Sequence, residues 1–497
     1  MRKIIGTACV RAAYLVFLLL VGFAAAAYGL TRESTIGIFN LSLGGCIALW
    51  LLGCALERRR PATGGIPWLL CLCVLLLGWS KAGLGTLNES LLYNPDIPED
   101  FWLHWEWLLN YGSRVPSLSI PAMCRTTALL GGMLLSIELW KTPGWRRALL
   151  LTLLATALGM TAFFFLQKSF GAPFLLPSET GRGTLSFATY RYWGNAASYL
   201  NLFWPPAAAA AVYALLYRSS LGAIWLIPCL LLLAATFMNQ SKAGNALAAA
   251  GIPVFILLAA MPIRGILHKR RMRIKWSHAL AASLPIAVLA LSLFFALPWK
   301  RWEYLANTVE KTGSDTRLRA YALFMHMLPD AGWSGFGPGT FQREYLSYVK
   351  EDEQILHTPF WAAHQDYIQT VVEWGYLGTV LWGALIVIPA FAIARQLRNE
   401  PESPDRFMPV FYSPLLDTPL KFLLTSPPPE APILAAGVMT SMLLTGLHAA
   451  MDFPMQIASL QFYFLIWLGL GWSQHRQHIL KRNAQSLKHR SQADRSP

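Results

Sequence analysis

Eight residues have side chains suited to a phosphate-bearing substrate and stand where such chemistry could be assembled. Arg182 lies in GRGT, Arg191 and Asn195 in TYRYWGN, and Lys242 in NQSK. Arg317 lies in SDTRLRAY, His364 in WAAHQDY and Asp452 in HAAMDFPMQ, while Arg125 stands inside an apolar run. A guanidinium matches phosphate oxygens as a two-pronged fork, and a lysine adds a point charge. Of the set, only His364 is naturally poised to exchange a proton near neutral pH. Taken alone, His364 fits interfacial hydrogen bonding as well as catalysis. His448 and Asp452 are four residues apart, a spacing that fits a structural pair as well as a catalytic one. Arg319 and Arg343 read as solvated or headgroup-contacting residues, and Glu373 as a local cap or pair. The segment GFGPGTF, with Gly335, Gly337 and Gly339, lacks the following Lys-Ser/Thr of a phosphate loop and reads as a turn. No acidic pair at metal-ligand spacing accompanies these residues, so neither a metal nor a cofactor is expected.

The elements that must position them are apolar. The 497-residue chain is 55% hydrophobic and 13% charged, about half the charge of a soluble domain, and its mean hydropathy is +0.41. Runs long enough to cross a bilayer, about 17–25 residues, occur near 9–30, 36–56, 66–86, 119–140, 148–167, 193–217, 221–238, 242–262, 278–298, 367–394, 432–450 and 456–474. The expected fold is therefore all-α, a polytopic bundle of about twelve spans with one long outer loop containing short helices. The first run is too long for a removable signal peptide, and no cleavage-type site closes it. All seven cysteines fall in or beside apolar runs and read as small buried hydrophobes.

Loop charges test that count independently, because Lys and Arg accumulate on the cytoplasmic side. With the N-terminus inside, Arg58-Arg59-Arg60, Lys141, Arg146-Arg147, Arg218, the run Arg264 to Lys275 and the C-terminal Arg and Lys residues all fall inside. The acidic loop 87–118 falls outside. Both termini are thus expected in the cytoplasm. Residues 1–298 would hold nine spans, 299–366 an outer loop, 367–474 three more spans, and 475–497 a basic tail. The net charge of +15 follows from these orientation signals, so nucleic acid is not an expected partner. The same rule makes the outer cations unusual: five separate segments deliver cations or proton carriers to the outer surface. Arg125, about two turns inside its span by the helix rise of ~1.5 Å per residue, is an intramembrane charge and functional by default.

The order RGTLSFATYRYWGN, NQSKAG, SDTRLRAYALFMHMLPDAGWSGFGPGTF, HQDYIQTVVEWGYLG, HAAMDFPMQ resembles the O-antigen ligase/polymerase superfamily over roughly residues 180–456. The resemblance implies a bacterial inner-membrane glycosyltransferase that takes a glycan from undecaprenyl pyrophosphate at the periplasmic face. It implies that Arg317 grips the pyrophosphate and that His364 activates the acceptor hydroxyl. Ser241-Lys242 stands where the family usually has Ser-Arg, keeping the charge without the fork. Arg182, Arg191 and Asn195 match a less regular part of the pattern. The implied partners are a lipid-linked glycan donor, a lipid, glycan or protein acceptor, and membrane lipids. Polymerisation of repeat units is an alternative, as is transport of an anionic or lipid-linked solute. Transport would call for polar or broken helices at midplane, where Pro205-Pro206 is the main candidate.

Overall fold

The structure is a computed structural model of the chain and describes residues 1–92, 111–170, 187–217, 226–269, 316–349, 360–398 and 431–493. Among these residues the secondary structure is helical, with one isolated β-bridge pairing Phe187 with Tyr190. The long helices are α1 (Arg2–Ala26), α2 (Glu33–Leu56), α3 (Gly65–Leu92), α4 (Pro116–Lys141), α5 (Pro143–Phe170) and α6 (Trp193–Tyr217). After the shorter α7 (Leu226–Met238) comes α8 (Lys242–Lys269). Three small helices follow, α9 (Thr316–His326), α10 (Leu328–Ala331) and α11 (Phe341–Glu344). The last are α12 (Asp366–Gln396), α13 (Ala431–Ala449) and α14 (Ala458–Ala493).

Nine of these helices (α1–α6, α8, α12 and α13) are long and apolar enough to cross a membrane. The expected run at 221–238 is represented by α7, 13 residues long, and the run at 278–298 lies outside the described residues. The last expected span is the buried first half of α14, with Leu460, Phe462, Tyr463, Ile466 and Trp467 in the core. That helix continues to Ala493, through most of the expected tail. In α4, α6 and α13 most of the apolar window is buried, whereas in α2, α3, α8 and α12 only about a third or less is, as in lipid-facing helices.

Without a hydrophobic drive between helices in lipid, close contact rests on small residues and internal hydrogen bonds. At the α1–α2 crossing, a Cβ on Gly53 would collide with Val10 and the Gly6 carbonyl. The basic end of the bundle is tied by Glu138 of α4, which is buried (3% exposed). It accepts from Tyr14 Oη of α1 at 2.9 Å, Trp50 Nε1 of α2 at 3.1 Å, the Ala62 amide at 3.2 Å and the Arg59 guanidinium. Burial pulls the Arg59 guanidinium down, but the Glu138 and Glu57 carboxylates outweigh it and hold it raised. Glu57 is held low, chiefly by the Thr7 hydroxyl.

At the other end, Ser459 Oγ donates to the Gly29 carbonyl (2.6 Å), Thr189 Oγ1 to the Ala25 carbonyl (2.6 Å) and Asn239 Nδ2 to the Trp193 carbonyl (2.9 Å). Among the described residues up to α8, helix ends therefore alternate between these two ends. Helix α8 starts at this second end and is roughly 40 Å long at ~1.5 Å per residue, which carries Lys269 to the basic end. Thr316 and Lys269 thus stand at opposite ends of the bundle.

Residues 316–349 build a small second core over the N-terminal part of α12, with Phe324, Met327, Phe336, Phe341 and Tyr345 against Ala363 and Val372. The glycine segment fixes its seat. Helix α12 is interrupted at Gly375 (φ 66°, ψ −175°), and main-chain bonds cross to residues 332–337. Phe336 N donates to Val372 O (2.9 Å) and Gly337 N to Glu373 O (3.0 Å). In return, Tyr376 N donates to Gly332 O and Leu377 N to Trp333 O, both at 3.1 Å. Gly335 and Gly375 both have positive φ, and a Cβ on either would meet the other's backbone.

Replacing Glu138 by Ala would leave Tyr14, Trp50 and Arg59 without their buried acceptor. The expected loss is about 3–5 kcal/mol, against under about 1 kcal/mol for Glu57→Ala. Thermal melting of both variants in detergent checks this; equal losses would contradict the role given to Glu138.

Candidate functional site

The site forms where three chain segments meet beyond the helix ends. His364 lies two residues before α12 with φ at 52°, a left-handed conformation that His tolerates better than most residues. Its main-chain carbonyl accepts from Tyr321 Oη of α9 at 2.6 Å, which helps hold that conformation. Gln365 then caps the helix by accepting from the Ile368 amide.

The His364 ring reaches the turn between α13 and α14, where Nδ1 lies 3.0 Å from Asp452 Oδ1. A carboxylate on Nδ1 holds the proton there and leaves the Nε2 lone pair for chemistry. The other carboxylate oxygen, Oδ2, accepts from Tyr192 Oη at 3.0 Å and lies 3.9 Å from His448 Nε2. His448 Nδ1 pairs with Ser198 Oγ of α6 at 2.8 Å. Rings complete the support: Phe453 stacks on Tyr192 at 5.4 Å and meets the His364 ring edge-on at 4.7 Å. Asp452 is buried, whereas the His364 side chain stays 24% exposed. The pair is thus an oriented imidazole with one open side, the geometry of a general base.

A second carboxylate fixes the turn itself. Asp366, in the first turn of α12, accepts from the Met455 amide (2.8 Å) and from Gln456 Nε2 (3.0 Å). His364 and Asp366 therefore grip the 452–456 turn from neighbouring positions. Nearby, burial raises the Tyr190 phenol above its ordinary range, and a bond to Ser459 offsets only part of that. The phenol remains neutral and anchors the loop that presents Tyr192.

Of the residues singled out from the sequence, His364 and Asp452 are in direct contact. Asn195 is buried in the first turn of α6, next to Gly194, where a Cβ would meet Asp452 and Tyr192. Arg191 is exposed one residue before Tyr192, and Lys242 is half-buried as the first residue of α8. Arg317 is in the first turn of α9, one helical turn before Tyr321, and its side chain lies outside the described part of the structure. Arg182 also lies outside the described residues. Arg125 is not in the His364 cluster. It lines a separate cavity and donates from Nη1 to the Gln456 carbonyl at 3.2 Å. Glu373, read as a local pair, accepts from the Gly339 amide and from Gln369 Nε2, both at 2.9 Å.

Sequence reasoning missed Tyr192, Tyr321 and Phe453, whereas Asp366 stands two residues after His364 in the same HQD triplet. Among the described residues, no three His, Cys, Asp or Glu side chains group closely enough to share a metal ion.

Comparison with curated proteins finds no match to the chain. Residues 227–383 match the family model described as O-Antigen ligase. The matched segment includes most of α7, all of α8–α11 and the first part of α12, and so carries Lys242, Arg317 and His364; Arg191 and Asp452 lie on either side of it. The similarity to the O-Antigen ligase family is therefore carried by residues 227–383.

Proposed function

We propose that this multi-pass membrane protein transfers a glycan from a polyprenyl-pyrophosphate carrier to an acceptor hydroxyl at the periplasmic face. The observation that carries the reading is the His364–Asp452 pair, open on one side and sharing its bundle end with Arg191, Lys242 and the first turn of α9. Arg58 to Arg60 and Lys141 mark the opposite end, which the positive-inside rule assigns to the cytoplasm.

The chemistry follows from the donors and acceptors present. His364 Nε2 takes the proton of the acceptor hydroxyl while Asp452 stabilises the imidazolium through Nδ1. The acceptor oxygen bonds to the anomeric carbon as the C1–O bond to pyrophosphate breaks, and the electron pair leaves with the pyrophosphate. Attack opposite the leaving group inverts C1. Arg317, with Arg191 and Lys242, stabilises the charge growing on the pyrophosphate. Arg182 and Asn195, close to Arg191 in the sequence, complete the donor contacts. Pyrophosphate is already a good leaving group, so protein cations suffice for the charge that develops and the reaction needs no metal.

His364→Ala is expected to lower glycan transfer by about 10²–10⁴-fold, and Arg317→Ala to abolish it, with membrane insertion intact in both. Near-normal transfer in either variant would defeat the assignment. Deletion of the protein should leave lipid-linked glycan on the periplasmic leaflet, and retention on the cytoplasmic leaflet would instead favour transport.

Asp366 acts on the chemistry through the turn it holds. Asp366→Ala is expected to cut kcat by about a hundredfold, the scale of a ~1 Å misplacement, with the donor KM little changed. Asp366→Asn, which still accepts from Met455, should recover part of the loss. An effect confined to KM would contradict a positioning role.

A further inference from the structure

Asp452 meets His364 through Oδ1, and its second oxygen faces α6 and α13. Besides accepting from the Tyr192 hydroxyl, Oδ2 lies 3.9 Å from His448 Nε2 of α13. A Cβ on Gly194 of α6 would overlap it. His448 and Ser198 are both buried, and the transfer chemistry uses neither. A buried imidazole beside a buried carboxylate is costly to bring out of water, so its presence here needs a reason.

The surroundings select the tautomer. A neutral imidazole carries one N–H and one lone pair. If His448 gave an Nδ1 proton to Ser198, the Nε2 lone pair would face the Asp452 carboxylate in a poorly solvated space, where repulsion is strong. With Ser198 Oγ donating to Nδ1 at 2.8 Å, the ring proton lies on Nε2, on the side of Oδ2. At 3.9 Å the contact is a charge–dipole attraction rather than a hydrogen bond. The Asp452 amide also donates to the His448 carbonyl at 2.8 Å, so one helical turn sets the register of the two side chains. Rotation of the carboxylate away from this contact would take Oδ1 off the His364 ring.

We propose that His448 is a positioning residue for the His364 base: held by Ser198 with its Nε2–H toward Asp452 Oδ2, it keeps the carboxylate turned so that Oδ1 meets His364 Nδ1. In the transferase reading, on which the catalytic meaning of this role rests, His448 touches no substrate and acts through Asp452 alone.

The test uses the full-length protein in phosphatidylcholine nanodiscs and diethyl pyrocarbonate, which acylates the lone-pair nitrogen of an accessible imidazole. A carboxylate accepting from Nδ1–H makes the other ring nitrogen more basic, so the acylation rate at His364, read by peptide mass spectrometry, reports the pair. The measurement is made at about pH 8, where an ordinary imidazole is unprotonated. His448→Leu is expected to slow acylation of His364 roughly three- to tenfold. His448→Gln, whose amide still donates toward Oδ2, should recover most of the rate, and Ser198→Ala should slow it roughly threefold. In an Asp452→Ala background, His448→Leu should change nothing further. Ser198→Ala and His448→Gln carry the test if His448→Leu does not yield a monodisperse protein. Unchanged rates in His448→Leu and Ser198→Ala, or equal slowing with and without Asp452, would mean that His448 only fills space and would overturn the proposal. Glycan transfer that depends on His364 alongside such unchanged rates would defeat the positioning role alone. Rates in the expected order without any glycan transfer would instead defeat the transferase reading.

Discussion

The turn between α13 and α14 is gripped from three directions by groups that lipid cannot solvate. Asp452 accepts from His364 and Tyr192, Asp366 accepts from Met455 and Gln456, and Arg125 donates to the Gln456 carbonyl. Each bond answers the same constraint, that a polar group near a bilayer core must find its partner inside the protein. Meeting it at one short turn pulls together the entrance of α6, the start of α12 and the interior of α4. The arrangement of the helices at this end, and the one-sided opening of His364, follow from that convergence.

The two bundle ends solve the constraint differently. At the basic end, Glu138 is enclosed and its oxygens are occupied by donors from α1, α2 and the segment that follows α2. Such a network ties helices together and leaves no open valence for a substrate. At the other end the carboxylate is also buried, but the imidazole it orients is partly exposed. One cluster is closed off within the bundle, while the other combines cohesion with a partly exposed edge.

The all-helical, membrane-crossing character was legible because long apolar runs are a local property of the chain. Arg125 was legible as an intramembrane cation, but not its separation from His364, since nothing local tells which cavity a helix face will meet. Attention to charge picked out Arg191, which is exposed, and passed over the adjacent Tyr192, whose phenol holds Asp452. The contact between His364 and Asp452 joins positions 88 apart in sequence, and only tertiary packing supplies it. The glycines at 335, 337 and 339 read correctly as a turn. Their deeper requirement, an approach to the interrupted α12 backbone, could not be read without the helix in place.

That interruption has a mechanical consequence. The amides and carbonyls released where α12 breaks at Gly375 are taken up by residues 332–337, which in turn have their own main-chain groups satisfied by the helix. Neither piece can be withdrawn without leaving the other's backbone unpaired at the membrane boundary. The segment 332–337 and the first nine residues of α12 thus behave as a single splice rather than as a loop resting on a rod. His364, two residues ahead of that splice, inherits its stiffness from both.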